Sequence, residues 1–83
     1  MTDSFNQVKD VLESDLLKKN RKNDVYKALK QGLTQKAEVS IFYSDDTLKV
    51  KELRAEVVGI SEDVLLTGID TKIPIRAIHQ IRF

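Results

Sequence analysis

The stretch Lys72-Ile-Pro-Ile-Arg-Ala-Ile-His-Gln-Ile-Arg-Phe83 decides how the chain is read. Two short apolar runs, Ile73-Pro74-Ile75 and Ile81-Arg82-Phe83, flank one tight kink. Each run is strand material with an edge, and an edge of unpaired backbone groups invites another chain to pair with it. Pro74 lacks an N–H, so one ladder bond is lost at that position.

Working back toward the N-terminus, the apolar pattern keeps a period of two. In Lys36-Ala-Glu-Val-Ser-Ile-Phe-Tyr-Ser44, residues Ala37, Val39, Ile41 and Tyr43 alternate with Glu38, Ser40 and Phe42, which predicts a half-buried strand. Ser44-Asp-Asp-Thr47 is a turn cluster, and it accounts for the neighbouring carboxylates Asp45 and Asp46 without invoking acid–base chemistry. Residues 48–60 carry Leu48, Val50, Leu53, Ala55, Val57 and Val58. The spacing slips between Val50 and Leu53, which predicts a bulge or bend in one long, strongly curved strand. Ser61-Glu62-Asp63 turns the chain, and residues 64–69 form a short, densely apolar strand. Asp70-Thr71 then leads into residues 72–75, the kink at Arg76-Ala77, and a last strand from Ile78.

Before Thr34 the period is helical. Phe5, Val8, Leu12 and Leu16 form one stripe with Val11 beside it, and Ser4 and Gln7 have capping-box spacing, so a helix is expected over 4–17. A polar, basic run over 18–24 follows. A second helix is expected over 24–31, with Asp24 as cap, Val25 and Leu29 on one face, and Gly32 as its stop. A single bent helix from 4 to 31 is the alternative, because the run contains no proline.

Composition bounds the function. The chain has 83 residues, so one domain is expected. A domain this small buries only roughly 60 % of the surface its unfolded chain exposes, and oligomerisation is a common way to add burial. With 41 % hydrophobic and 33 % charged residues the chain is of ordinary globular type. There are no cysteines, which excludes disulfides and thiolate zinc sites. No apolar run approaches the roughly 18 residues of a membrane span, and Met1-Thr-Asp-Ser-Phe-Asn-Gln-Val-Lys-Asp10 lacks the basic-then-apolar order of a leader. A cytoplasmic protein with no membrane partner is therefore expected. A net charge of +1 does not by itself indicate nucleic acid, but Lys18, Lys19, Arg21 and Lys22 are concentrated in one run.

Five short strands with no room for crossover helices must pair mostly antiparallel, and such a sheet tends to curl into a small barrel with a helix over its open end. The segment from about Asp24 to Phe83, most of the chain, resembles the Sm-like (Hfq-like) family. The likeness is carried by Ala28–Asp46 as helix and first strand, Leu53–Leu66 as strands two and three, and Lys72–Ile81 as strand four, kink and strand five. It is a pattern of apolar positions more than of identities. The fold class expected is therefore mainly β with N-terminal helices: an Sm-like small barrel of five strongly bent antiparallel strands over 24–83, preceded by a helical extension and basic linker over 1–23.

The resemblance implies a ring in which strand four of one copy pairs with strand five of the next. Ile73, Pro74, Ile75, His79, Ile81 and Phe83 would form that interface. It also implies single-stranded RNA at the pore, held by a cation and a stacking group from the two inner turns. Position by position, Arg76 falls where the family carries its cation. Ser61 falls where the family often has Asp, and Asp63 near the stacking position. A carboxylate cannot stack and repels phosphate, so the site is half present. Lys18, Lys19, Arg21 and Lys22 are the second candidate contact, by long-range attraction of phosphate. Their plainer reading is a solvated face between helices. Tyr26 is read chiefly as packing against the sheet, with base stacking as the alternative. His79 is a lone histidine, whereas zinc needs three or four ligands, so no metal or cofactor is expected. The expected activity is non-catalytic, with no small-molecule substrate: a homo-oligomeric ring that binds single-stranded RNA. The alternatives are a scaffold on the same barrel without RNA binding, and a monomeric SH3-like barrel that binds a protein.

Overall fold

A computed structural model describes residues 10–45, 47 and 49–83. Among them the order is one helix, α1 (Asp15–Gln35), then strands β1 (Glu38–Ser44), β2 (Val50–Ser61), β3 (Val64–Thr67) and β4 (Lys72–Pro74), a one-turn 3-10 helix (Ile75–Ala77), and β5 (Ile78–Arg82). The chain is mainly β with an N-terminal helix.

The helix differs from expectation. Residues 10–14 are not helical, and helix α1 starts where the Ser14 hydroxyl accepts the Leu17 N–H at 3.4 Å. Phe5 and Val8, the start of the anticipated 4–17 stripe, lie outside the described residues. Leu16 from that stripe is 66 % exposed. From Asp15 the helix runs without a break through the polar stretch 18–24, so the described residues hold one helix there and no break between two, and the expected boundary between 23 and 24 falls inside it. The reason is local: this run has no proline or glycine, and apart from Asn20, Asn23 and Asp24 it consists of lysine and arginine, which are good helix formers. Gly32 does not stop the helix either. The end comes three residues after it, where Lys36 takes a left-handed φ of 52° and the Ala37 N–H reaches the Gln31 carbonyl at 3.4 Å.

The five strands form one antiparallel sheet in the order β4-β3-β2-β1-β5. Strand β2 joins its halves. Val50 to Glu56 pairs with β1, and Val57 to Ser61 pairs with β3. The register slips between Val57 and Gly59, so the bulge lies there and not between Val50 and Leu53. It releases Val58 to solvent while Ala55 and Val57 stay inward. Val50 and Ile69, both counted as strand apolar positions in sequence, are exposed, Ile69 because β3 ends at Thr67 and the chain turns. Thr67 is buried and organises that turn: its hydroxyl donates to the Thr71 carbonyl at 2.9 Å and accepts the Thr71 N–H at 3.2 Å.

The core lies between helix and sheet. Val25 and Ala28 of α1 meet Val39 and Ile41 of β1, Val57 of β2, Leu65 of β3, Ile73 of β4 and Ile78 and Ile81 of β5, all buried. Each such large side chain contributes roughly 1.5–3 kcal/mol. The expected inward alternation of Val39 and Ile41 is present, with Tyr43 half-buried against the cluster. No helix among the described residues is long and apolar enough to cross a membrane.

Candidate nucleic-acid interface

Two turns that are far apart in sequence meet. The Ile75 N–H, at the start of the 3-10 turn, donates to the Asp63 carbonyl of the β2–β3 turn at 2.8 Å. Glu62 makes this β2–β3 turn by taking a left-handed φ of 55°. The turn between β4 and β5 is short because Pro74, with its extended backbone, feeds directly into one turn of 3-10 helix.

Two clefts open on either side of this contact and share Asp63 and Ile75 in their walls. The first, of about 330 Å³, lies between α1 and the β2–β3 turn. Its walls are Lys22, Val25 and Tyr26 from the helix, Ile60, Glu62 and Asp63 from the sheet side, and Ile75. The second, of about 290 Å³, is walled by Asp10, Arg21, Asp63, Ile75 and Arg76. Arg76, the cation anticipated from sequence, is half-buried there, and its backbone carbonyl accepts the Val11 N–H at 2.9 Å. The segment before α1 is thereby tied to the kink.

The basic run does not act as one patch. Lys19 and Lys22 are exposed, Lys18 is half-buried, and Arg21 is only 8 % exposed. Arg21 points inward and forks onto Asp10, with Nη1 to Oδ1 at 2.7 Å, while Nη1 also donates to the Ile78 carbonyl at 3.2 Å. It is therefore a structural residue and not the phosphate contact expected of it. Burial pushes the Asp10 carboxyl up, but the Arg21 guanidinium, the Leu12 N–H and the charges of Arg21 and Lys18 together hold it below its ordinary value. Sequence reasoning missed Asp10 because it was placed within a helix.

Ser61 is exposed at the end of β2 and lies outside both clefts, whereas Asp63 is part of both. Tyr26 does not pack flat on the sheet: it is 56 % exposed at the mouth of the first cleft. The signal that could have found it is its spacing, one turn from Lys22 and one from Lys30.

The residues expected at an interface divide. Ile73 and Ile81 are buried in the chain's own core, so their side chains are not available to a partner. Pro74 and Ile75 are half-buried. The His79 Nε2 and the Ser44 hydroxyl share a hydrogen bond of 2.6 Å. Phe83 is 51 % exposed, with the Lys27 ammonium 4.5 Å from its ring centre. Among the described residues, no three His, Cys, Asp or Glu side chains are grouped so as to hold a metal ion. Asp45 is engaged locally: Lys51 at 2.8 Å and Thr47 hold its carboxyl well below the usual range.

No protein-family model matches the chain, and comparison with curated proteins and with solved structures returns no significant match.

Proposed function

We propose that the chain is a non-catalytic Sm-like protein whose sheet closes toward a small barrel, which assembles with copies of itself into a ring and binds single-stranded RNA at the paired clefts. The observation that carries the reading is the 2.8 Å contact between the β2–β3 turn and the β4–β5 turn. It brings one cation, Arg76, a second, Lys22, and an aromatic ring, Tyr26, around two adjoining clefts. A cation for the phosphate and a ring for the base are what an unpaired strand requires.

Sheet order supports assembly. Among the described residues, β4 pairs only with β3 and β5 only with β1, so each leaves one edge open. The open edge of β4 can be read atom by atom. The Thr71 carbonyl accepts from Thr67 and the Ile75 N–H donates to Asp63, so residues 71, 73 and 75 bond toward β3. Lys72 and Pro74 then face outward. The donor missing at Pro74 is therefore missing from the outer edge, where it spares the internal ladder and leaves the Lys72 N–H and carbonyl for a neighbour, the Pro74 carbonyl capping the 3-10 turn. The interface in this reading is backbone pairing of β4 with β5, with no side-chain part for Ile73 or Ile81.

A scaffold without RNA binding is the second reading, favoured by Glu62 and Asp63 on the first cleft, which repel phosphate. Native mass spectrometry and RNA anisotropy at two salt concentrations separate the two. A ring that binds homopolymer RNA at low salt, with affinity reduced by Arg76→Ala, is the expected result. A ring that binds none leaves the scaffold. A single chain at micromolar concentration rejects the ring.

A further inference from the structure

Along one flank of α1, Lys22, Tyr26 and Lys30 follow each other at intervals of four residues, and all three are exposed. Each lysine therefore stands one helical turn, about 6 Å along the axis, on either side of the ring. Tyr26 shares the first cleft, about 330 Å³, with the apolar side chains of Ile60 and Ile75 and with Glu62 and Asp63 of the β2–β3 turn. That volume is at the lower end of the roughly 300–1,000 Å³ typical of small-ligand pockets. The site thus has two sides: Lys22 and Tyr26 exposed on the helix rim, Glu62 and Asp63 exposed on the turn rim, and between them the buried Val25 and half-buried Ile60 and Ile75.

Two of these features conflict for a simple anion. Glu62 and Asp63 would repel a phosphate that entered the cleft. They suit a ligand that is negative on the side facing the helix lysines and presents N–H donors to the turn. A nucleotide within a single strand is such a ligand: its phosphates stay on the lysine flank and its base enters. Ionised carboxylates only accept hydrogen bonds, so they select bases with an exocyclic amine. Cytosine presents the N4 amino group at the position where uracil presents the O4 carbonyl, and Asp or Glu accepting from that amine is an established pairing.

We propose that this cleft binds an amino-bearing base of single-stranded RNA, stacked on Tyr26 and read by Glu62 and Asp63, with Lys22 and Lys30 on the flanking phosphates. The inference rests on the RNA-binding reading above and adds the base class and the residues that choose it. The acidic turn is then not a defect in an RNA site but its selective element. Stacking on Tyr26 is tolerant of sequence, and the choice between cytosine and uracil comes from the turn.

The test compares fluorescence anisotropy of the full chain with poly-C and poly-U. These differ in the amine but share the size of a pyrimidine, so stacking strength alone does not separate them. Poly-C is expected to bind about tenfold more tightly, as one base-edge discrimination is worth. Tyr26→Ala should weaken both about tenfold, and Tyr26→Phe should restore both. Glu62→Gly with Asp63→Ala should erase the ratio between the two RNAs while leaving binding in place. Glycine suits the left-handed backbone at 62, and the Asp63 carbonyl still accepts Ile75, so the turn keeps its geometry. Circular dichroism confirms folding of each variant. Equal binding of the two RNAs by the native chain, a ratio that survives the double substitution, or affinity unaffected by Tyr26→Ala overturns the inference while RNA binding itself stands. No binding of either RNA overturns the RNA-binding reading and this inference with it.

Discussion

Gly32 of the helix lies directly over the Val57 carbonyl of β2: a methyl group on Gly32 would meet that oxygen at 2.1 Å, with the Val57 N and C atoms at 3.1 Å. The obstacle is backbone, at the point where β2 begins its pairing with β3, and it cannot rotate aside. The residue that sequence marks as a helix stop is therefore the contact that lets α1 approach the sheet.

Gly32→Ala should destabilise the fold. Alanine favours a helix by about 0.8–1.0 kcal/mol over glycine. Overpacking against a fixed carbonyl costs about 1–3 kcal/mol, occasionally more, and outweighs it. Urea denaturation should show a lower midpoint with unchanged slope; a raised midpoint would contradict the close approach.

Asp10 ties the segment before the helix to Arg21, which is buried. Asp10→Asn should cost about 1–3 kcal/mol at neutral pH, because Arg21 keeps the Ile78 carbonyl but loses its charge partner. The pH dependence has a definite sign. The folded-state pKa of Asp10 is depressed, so the stabilisation is full above the unfolded value of about 3.9 and is lost as pH falls through the lower folded value. Thermal melts of native chain and variant should differ at pH 7 and draw together as the solution is acidified. A constant difference at all pH values would show that the carboxylate charge is not what matters.

Lys72→Pro tests assembly without touching the core. Lys72 is exposed and, by the alternation set at Thr71 and Ile75, bonds outward. Proline there removes the outer donor and leaves the ladder to β3 intact. On the proposed ring, far-ultraviolet circular dichroism should be unchanged while the mass by light scattering drops to one chain. Persistence of a ring would mean that copies meet elsewhere. Removing 79–83 is a poorer test, since it also deletes Ile81 from the core.

Thr67→Val keeps the shape of a buried side chain and removes the hydroxyl that both donates to and accepts from Thr71. A loss of about 1–3 kcal/mol is expected from the Thr71 N–H left without that acceptor. Hydrogen exchange should quicken first at β4, which depends on this turn for its position. Uniform quickening across the sheet would deny the turn any local role.

Period and punctuation were enough for the sheet. Val39 and Ile41 alternate with Glu38 and Phe42, Glu62-Asp63 breaks the strands, and Arg76-Ala77 kinks them, because a strand's two faces and a turn's backbone demands are local properties. The kink that carries Arg76 was legible for the same reason. What tertiary structure alone decided was which polar groups point inward. Arg21 is one of four cations in a short run, and Asp10, eleven residues earlier, together with the distant Ile78 carbonyl, removes it from the surface. Tyr26 is exposed, and Gly32 is a contact and not a stop, because the sheet passes beneath the face of α1 that carries Arg21, Val25, Ala28 and Gly32. Side-chain spacing names the members of a helix face, but which face meets the sheet is set by long-range packing, and that is a sum over contacts that no single stretch of chain contains.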